Sequence, residues 1–290
     1  MSGYRFCRSD DIPLLVDAYN ACYRPFVPGA AEWDVPKFRR LAKEIDLWTS
    51  SCMVTVVQDE IAGVMLATKR EGEMRVLGVG LRPEFRRAGH GRHMLRSLSA
   101  KLAILGPPRM TCEIPDGRTE ACAFVEACGW THDRTYVDFL CPPESERAPF
   151  DPPLVRSVDY EDLESAGVLD PDSRRSWDRS PKTLSNRRAA LIARAIPAFD
   201  GWEAWLLAEE AQPGGERLML EVGSRESGGT GKRGAELEAL LVRRFLAEAP
   251  ERAVRFPQVW EGERSLDAVE RWGFRDGPKT LGFAATPEPA

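Results

Sequence analysis

Apolar residues recur at two periods along this chain, and the switches between them mark out its elements. Phe6-Cys7-Arg8 reads as a short strand, and Ser9 to Pro13 reads as a helix cap with proline near the first turn. Ile12, Leu15, Val16, Tyr19 and Cys22 then keep helical spacing. Tyr23 to Trp33 is a loop with Pro25, Pro28 and Gly29, and a second helix starts near Asp34, with Phe38, Leu41, Ile45 and Trp48 on one face. Period two follows: Ser51 to Gln58 and Ile61 to Thr68 read as a hairpin around Asp59-Glu60, and Arg75 to Leu81 as the next strand. Gly78 and Gly80 within that strand mark either a backbone or ligand laid close beside it, or a bend of the sheet. Helical spacing returns at Met94, Leu95, Leu98, Leu102 and Leu105 and stops at Gly106-Pro107-Pro108. Arg109 to Ile114 alternates, with Met110, Cys112 and Ile114 on one face. A helix carrying Ala121, Phe124 and Cys128 ends at Gly129, and Tyr136 to Cys141 reads as a final strand.

The second half repeats this order. Gly80 recurs as Gly223 and Gly91-x-x-Met94 as Gly234-x-x-Leu237, both at an offset of 143, while Gly129-Trp130 recurs as Gly273-Phe274 at 144. A constant offset at three landmarks argues for an internal duplication. Strands near Leu154–Val158, Trp202–Ala208 and Arg217–Val222 and a helix over Ala235–Glu248 agree with it. The expected division is one α/β unit over residues 1–143, a proline-rich linker over 144–153 and a second unit over 154–290.

Composition narrows the function classes. A length of 290 residues suggests about two domains, and 43% hydrophobic residues supply ample core. A net charge of −5 gives no support to nucleic-acid binding, no apolar run reaches the ~20 residues of a membrane span, and Met-Ser-Gly-Tyr-Arg-Phe lacks the apolar core of a signal peptide. The expectation is a cytoplasmic protein with neither nucleic-acid nor membrane partners. Seven cysteines, none in a Cys-x-x-Cys pair, and three histidines give a zinc site little to build from, so no metal is expected.

The chemistry concentrates between the strand ending at Leu81 and the helix that follows. Arg86-x-x-Gly89-x-Gly91 makes a glycine-bearing turn whose backbone N–H groups meet the positive end of a helix dipole, a ready place for a pyrophosphate. The dinucleotide fingerprint lacks its third glycine here, and the triphosphate loop its Gly-Lys-Ser/Thr. Leu81-x-Pro83 followed by Arg86-x-x-Gly89-x-Gly91 resembles the acetyl-CoA signature of the GNAT superfamily of N-acetyltransferases. Ala121-x-x-Phe124-x-x-x-x-Gly129-Trp130 resembles the next signature of that family. Under the 143 offset, Arg86, Gly89 and Gly91 become Gly229, Lys232 and Gly234, so only the first copy keeps its loop and the second is degenerate.

The resemblance implies an α/β (α+β) fold of two tandem units, each a mixed, mostly antiparallel sheet flanked by helices. It implies an acetyl-CoA-dependent N-acetyltransferase acting on a primary amine of a small molecule. Acetyl-CoA would lie between two splayed parallel strands, with Gly80, Leu81, Arg86, Arg87, Ala88, Gly89, His90, Gly91 and Arg92 as the cofactor-binding set. An N–H near Leu81 would polarise the thioester, and the amides from Arg87 to Arg92 would hold the pyrophosphate. The segment after the first helix would help form the acceptor site, which makes Tyr23, Phe26 and Trp33 candidate contacts; packing as a lid is the alternative.

The catalytic groups depart from the family pattern. The usual general-acid tyrosine is Val125, an asparagine often found three residues before Ala121 is Arg118, and no carboxylate lies between Arg75 and Leu81. Glu73 and Glu113 are the nearest acidic groups, and Tyr136 is a candidate replacement acid. Those departures keep open a non-catalytic acyl-CoA-binding or sensing protein, and a protein or peptide amine remains a further acceptor class.

Overall fold

The computed structural model describes residues 2–27, 29–169, 175–211, 214–225, 232–260, 263 and 266–289. In chain order the elements are β1 (Ser2–Phe6), α1 (Ile12–Cys22), α2 (Val35–Glu44), β2 (Met53–Val57), β3 (Glu60–Arg70), β4 (Glu73–Leu81), α3 (His90–Leu105), β5 (Arg109–Pro115), α4 (Thr119–Glu126) and β6 (Thr131–Cys141). The second series is β7 (Arg156–Val158), α5 (Tyr160–Ser165), α6 (Pro181–Arg187), β8 (Ile192–Ala198), β9 (Gly201–Glu210), β10 (Arg217–Ser224), α7 (Lys232–Ala247), β11 (Val254–Trp260), α8 (Leu266–Arg271) and β12 (Arg275–Ala285). Among the described residues no helix is long and apolar enough to cross a membrane.

Two compact units result. The first comprises Met1–Arg134 and Leu281–Ala290, the second Thr135–Thr280. Strands of the first unit run in the order β1-β2-β3-β4-β5, all antiparallel neighbours except the parallel pair β4/β5. In the second unit β7-β8-β9-β10-β11-β6 repeats the scheme, with β10/β11 as the parallel pair. Alternation along each strand buries both faces. In the first unit Met74, Val76, Met110 and Ile114 pack under α3 through Met94, Leu98 and Leu102. Val54, Val64 and Leu66 pack under α1 and α2 through Leu15, Tyr19 and Phe38.

The duplication is written into the strand irregularities. Gly78 pairs with Leu66 and Val76 with Ala67, which leaves Leu77 as the extra residue of a bulge in β4. Met219 pairs with Ala208 and Glu221 with Leu207, which leaves Leu220 extra in β10, at 220 − 77 = 143. The bulge repeats at the same offset as the sequence landmarks.

Several boundaries differ from the sequence reading. The units divide at 134/135 and 280/281 rather than at 143 and 153, because strand geometry outweighs proline content. From Tyr136 onward β6 pairs with β11, Phe139 opposite Phe256 and Cys141 opposite Val254, so it belongs to the second core. The end of β12 returns to the first core, where Phe283 is buried with Trp130. Residues 144–153 lie on the second unit rather than between units: the Glu144 N–H donates to Pro250 O at 2.7 Å and the Arg243 guanidinium covers the Phe150 ring at 4.0 Å. Trp48, expected on the apolar face of α2, is exposed, since Asp46 at φ 57° breaks the helix first.

Candidate active site

β4 and β5 pair in parallel only over Glu73–Val76 and Arg109–Cys112. Beyond that, β4 continues through the Leu77 bulge to Leu81 and β5 to Pro115, and the strands part. The end of α1 lies on the parting strand. A Cβ at Gly78 would collide with the Tyr23 ring, and one at Gly80 with the carbonyl of Cys22. The two glycines therefore answer to the approach of α1, which settles the choice that the sequence left open. With its ring in the Gly78 notch, the Tyr23 hydroxyl reaches the bulge carbonyl, donating to Leu77 O at 3.5 Å.

At the far end of β4 the chain turns into α3. Arg87 at φ 60° and Gly89 at φ 86° are both left-handed, a conformation that glycine adopts freely and arginine only at a cost. The first helical bond runs from the His93 N–H to Gly89 O at 3.0 Å. Among the described residues the amides of Arg87, Ala88, Gly89, His90, Gly91 and Arg92 have no acceptor. Six N–H groups thus stand at the N-terminus of a 16-residue helix, where the dipole favours an anion. The side chains divide. Arg86 turns back, its Nε donating to Leu81 O at 3.0 Å and its guanidinium covering the Phe26 ring at 4.0 Å. His90 points inward, its Nδ1 2.6 Å from the Tyr4 hydroxyl, so only its amide faces the turn. Arg92 reaches Ala127 O at 3.4 Å, whereas Arg87 is exposed and unpaired among the described residues. Gly91 is small for packing: a Cβ there would lie 3.1 Å from the Phe124 ring.

The two expected acidic groups are each engaged by neighbours. Glu73 is held by the Thr111 hydroxyl at 2.8 Å and by Arg109 Nε at 3.5 Å. Glu113 receives Arg75 Nη2 at 2.7 Å, with both side chains at or below 10% exposure. That ion pair, formed between β4 and β5 just before they part, escaped the sequence reading, although Arg75 and Glu113 fall on the polar positions of their strands. Tyr136 is buried on β6 opposite Trp260 and belongs to the second unit, whereas the turn belongs to the first. Val125 sits in the core and offers no proton.

Of the acceptor candidates, Trp33 is a packing residue. Its ring stacks on Tyr19 at 3.4 Å and 5°, and Asn20 ties its backbone by bonds of 2.8 and 3.0 Å. Phe26 covers Arg86, and Tyr23 alone stands at the bulge. Burial raises the Tyr23 pKa above its ordinary value, and the Arg75 and Arg118 cations only partly offset it. At neutral pH the group is therefore a neutral hydrogen-bond donor. The sequence signal for it is Tyr23 at a helix end together with two glycines in one strand.

Burial pushes Cys7, Cys52 and Cys112 up to about 12, far from a thiolate at neutral pH. Among the described residues no group of three or more His, Cys, Asp or Glu could hold a metal ion. In the second copy, the segment matching the phosphate turn begins at Gly229, and its positions 229–231 lie outside the described residues.

Residues 12–130 match the family model of the acetyltransferase (GNAT) family. No curated protein matches the chain. Among solved structures, the chain is similar to a GCN5-related N-acetyltransferase from Sphaerobacter thermophilus, at 15% identity and a TM-score of 0.66 over 100% of this chain and 96% of that one. A tandem GNAT protein from the clavulanic acid biosynthesis pathway aligns at 14% identity and a TM-score of 0.65, over 100% of both chains. A GCN5-related N-acetyltransferase from Anabaena variabilis aligns at 12% identity and a TM-score of 0.65, over 99% of this chain and 73% of that one. At such identities the likeness is one of fold.

Proposed function

We propose that this chain, whose residues 12–130 match the family model of the acetyltransferase (GNAT) family, transfers an acetyl group from acetyl-CoA to a primary amine of a small molecule, with the cofactor held by the first unit. One observation carries the reading. Six unpaired amides stand at the head of α3, next to a strand that parts from its parallel neighbour. Such amides suit a pyrophosphate, and exposed Arg87 and Arg92 suit the phosphates by charge.

Acetyl-CoA supplies the activated carbonyl, and the protein has to position an amine and manage protons. The amine attacks the carbonyl carbon, the C–S bond breaks, the ammonium proton leaves to water and the thiolate takes up a proton. Glu73 and Glu113 are engaged with Arg109, Thr111 and Arg75, which leaves base chemistry to water. Tyr23 is the phenol at the β4 bulge, and we assign it the hydrogen-bond or proton donation for which Val125 has no group. The acceptor side of the opening is then the face of Tyr23, Arg75 and Glu113.

Calorimetry with acetyl-CoA on the wild type and Gly89→Trp tests the reading. A Cβ at Gly89 enters open space, so the indole would cover the amides. Micromolar binding lost in the variant, followed by acetylation of at least one amine in a panel, is expected. Binding without any turnover would favour the acyl-CoA-binding alternative. No binding by the wild type, or binding that survives the substitution, would overturn the assignment to this turn.

A further inference from the structure

The second unit repeats the strand opening but fills it differently. β10 and β11 pair in parallel only over Arg217–Leu218 and Val254–Arg255, and β10 then bulges at Leu220. β11 is irregular where Gln258 adopts φ 48°, between the pairs Phe256–Phe139 and Val259–Val137. Into this opening projects Arg179, from the turn of 3-10 helix Trp177–Arg179, and none of its side chain is exposed.

Its guanidinium meets partners at all three nitrogens. Nε donates to the bulge carbonyl Leu220 O at 2.7 Å, and Nη1 to Gln258 O on the other strand at 3.1 Å. Nη1 also reaches Glu263 Oε2 at 3.0 Å, while Nη2 meets Glu263 Oε1. The cation lies 4.5 Å from the centre of the Phe256 ring. Beside it, Arg175 Nη2 donates to buried Glu221 at 2.7 Å, and Arg175 Nε lies 3.7 Å from Glu263. Two arginines and two glutamates thus meet here among the described residues. A buried cation left short of partners would be costly, whereas two carbonyls, a forked carboxylate and an aromatic face fit a planar guanidinium.

We infer that the opening of the second unit is a guanidinium site, and that the chain occupies it with its own Arg179. In the first unit the matching bulge carbonyl, Leu77 O, meets the Tyr23 phenol at 3.5 Å. Arg179 thus ties together the two strands that the first copy leaves parted, and the second opening is closed by a group the chain carries itself. This inference does not depend on whether the first unit takes acetyl-CoA.

Thermal unfolding of Arg179→Ala, with and without millimolar guanidinium chloride, tests it. Guanidinium at about ten times its dissociation constant should raise the variant's Tm by roughly 3–6 °C and then saturate. The wild type should not respond, nor should the variant respond to urea, which has the same outline without the charge. Should Arg179→Ala require guanidinium in order to refold, the inference stands. Arg179→Lys keeps the charge but not the fork, and should unfold earlier than wild type without any guanidinium rescue. Absence of rescue in Arg179→Ala, an equal response of the wild type, or an Arg179→Met variant as stable as wild type would overturn it.

Discussion

The Tyr23 hydroxyl lies 3.5 Å from the carbonyl oxygen of Leu77, the extra residue of the β4 bulge. Two glycines make that approach possible, one accepting the Tyr23 ring and the other the Cys22 carbonyl. If the phenol serves proton donation, Tyr23→Phe keeps the ring in its notch and removes only the function. We expect kcat to fall by about 10²-fold, within the usual range for one acid–base group, with the KM for acetyl-CoA little changed. The sign of the pH effect follows from burial, which raises the pKa above the ordinary tyrosine value of 10.0. The wild-type group then stays protonated through neutral pH, so the loss should be constant from roughly pH 6 to pH 9. Steady-state rates across that range check this; a variant with wild-type kcat would remove Tyr23 from the chemistry.

Glu113 invites the opposite expectation. Its carboxylate is 2.7 Å from Arg75, and both are largely out of water. Removing one charge from such a pair leaves the other buried without compensation. Glu113→Gln should therefore destabilise the protein by about 2–4 kcal/mol, below the upper range for fully buried pairs because some solvent still reaches both groups. It should lower kcat less than tenfold. Urea unfolding and turnover, measured side by side, separate a structural ion pair from a general base: a general base would lose 10²-fold or more in rate.

Much of this arrangement was legible beforehand. The geometry of the turn before α3 was legible because glycine spacing reports backbone geometry directly. The repeat was legible because glycines recur at one offset, Gly80 kept small by the Cys22 carbonyl and Gly223 by the Trp205 ring. Side-chain roles were less so. Nothing in the segment around Tyr136 shows that its strand leaves the first unit near Thr135. Trp33 read as a candidate acceptor contact in a proline-bearing loop, yet stacking on Tyr19 is a contact 14 residues apart that periodicity does not encode. Arg179 was missed for a similar reason, since its partners at Leu220, Gln258 and Glu263 lie 41 to 84 positions away. An arginine in a short polar turn reads as solvated until those strands are in place.

Phe283 carries the last prediction, because sequence position and structural membership disagree there. It lies near the end of the chain, beyond the second copy's final landmark at Gly273-Phe274, yet it is 2% exposed within the first unit's core. Trp130 shares that core, the His132 ring meets Phe283 edge-on at 6.0 Å, and the Glu288 N–H donates to Ser99 Oγ on α3 at 2.8 Å. Phe283→Ala should cost about 3–5 kcal/mol, the usual range for emptying a buried phenylalanine site. The loss should fall on the first unit. Amide hydrogen exchange resolved by segment would show faster exchange in α3 and β5, with α7 and β9 of the second unit little affected. If the acetyl-CoA turn belongs to the first unit, binding should weaken in step, because the head of α3 is fixed by the same core. Faster exchange confined to the second unit would instead assign the chain's last strand to the copy it follows in sequence.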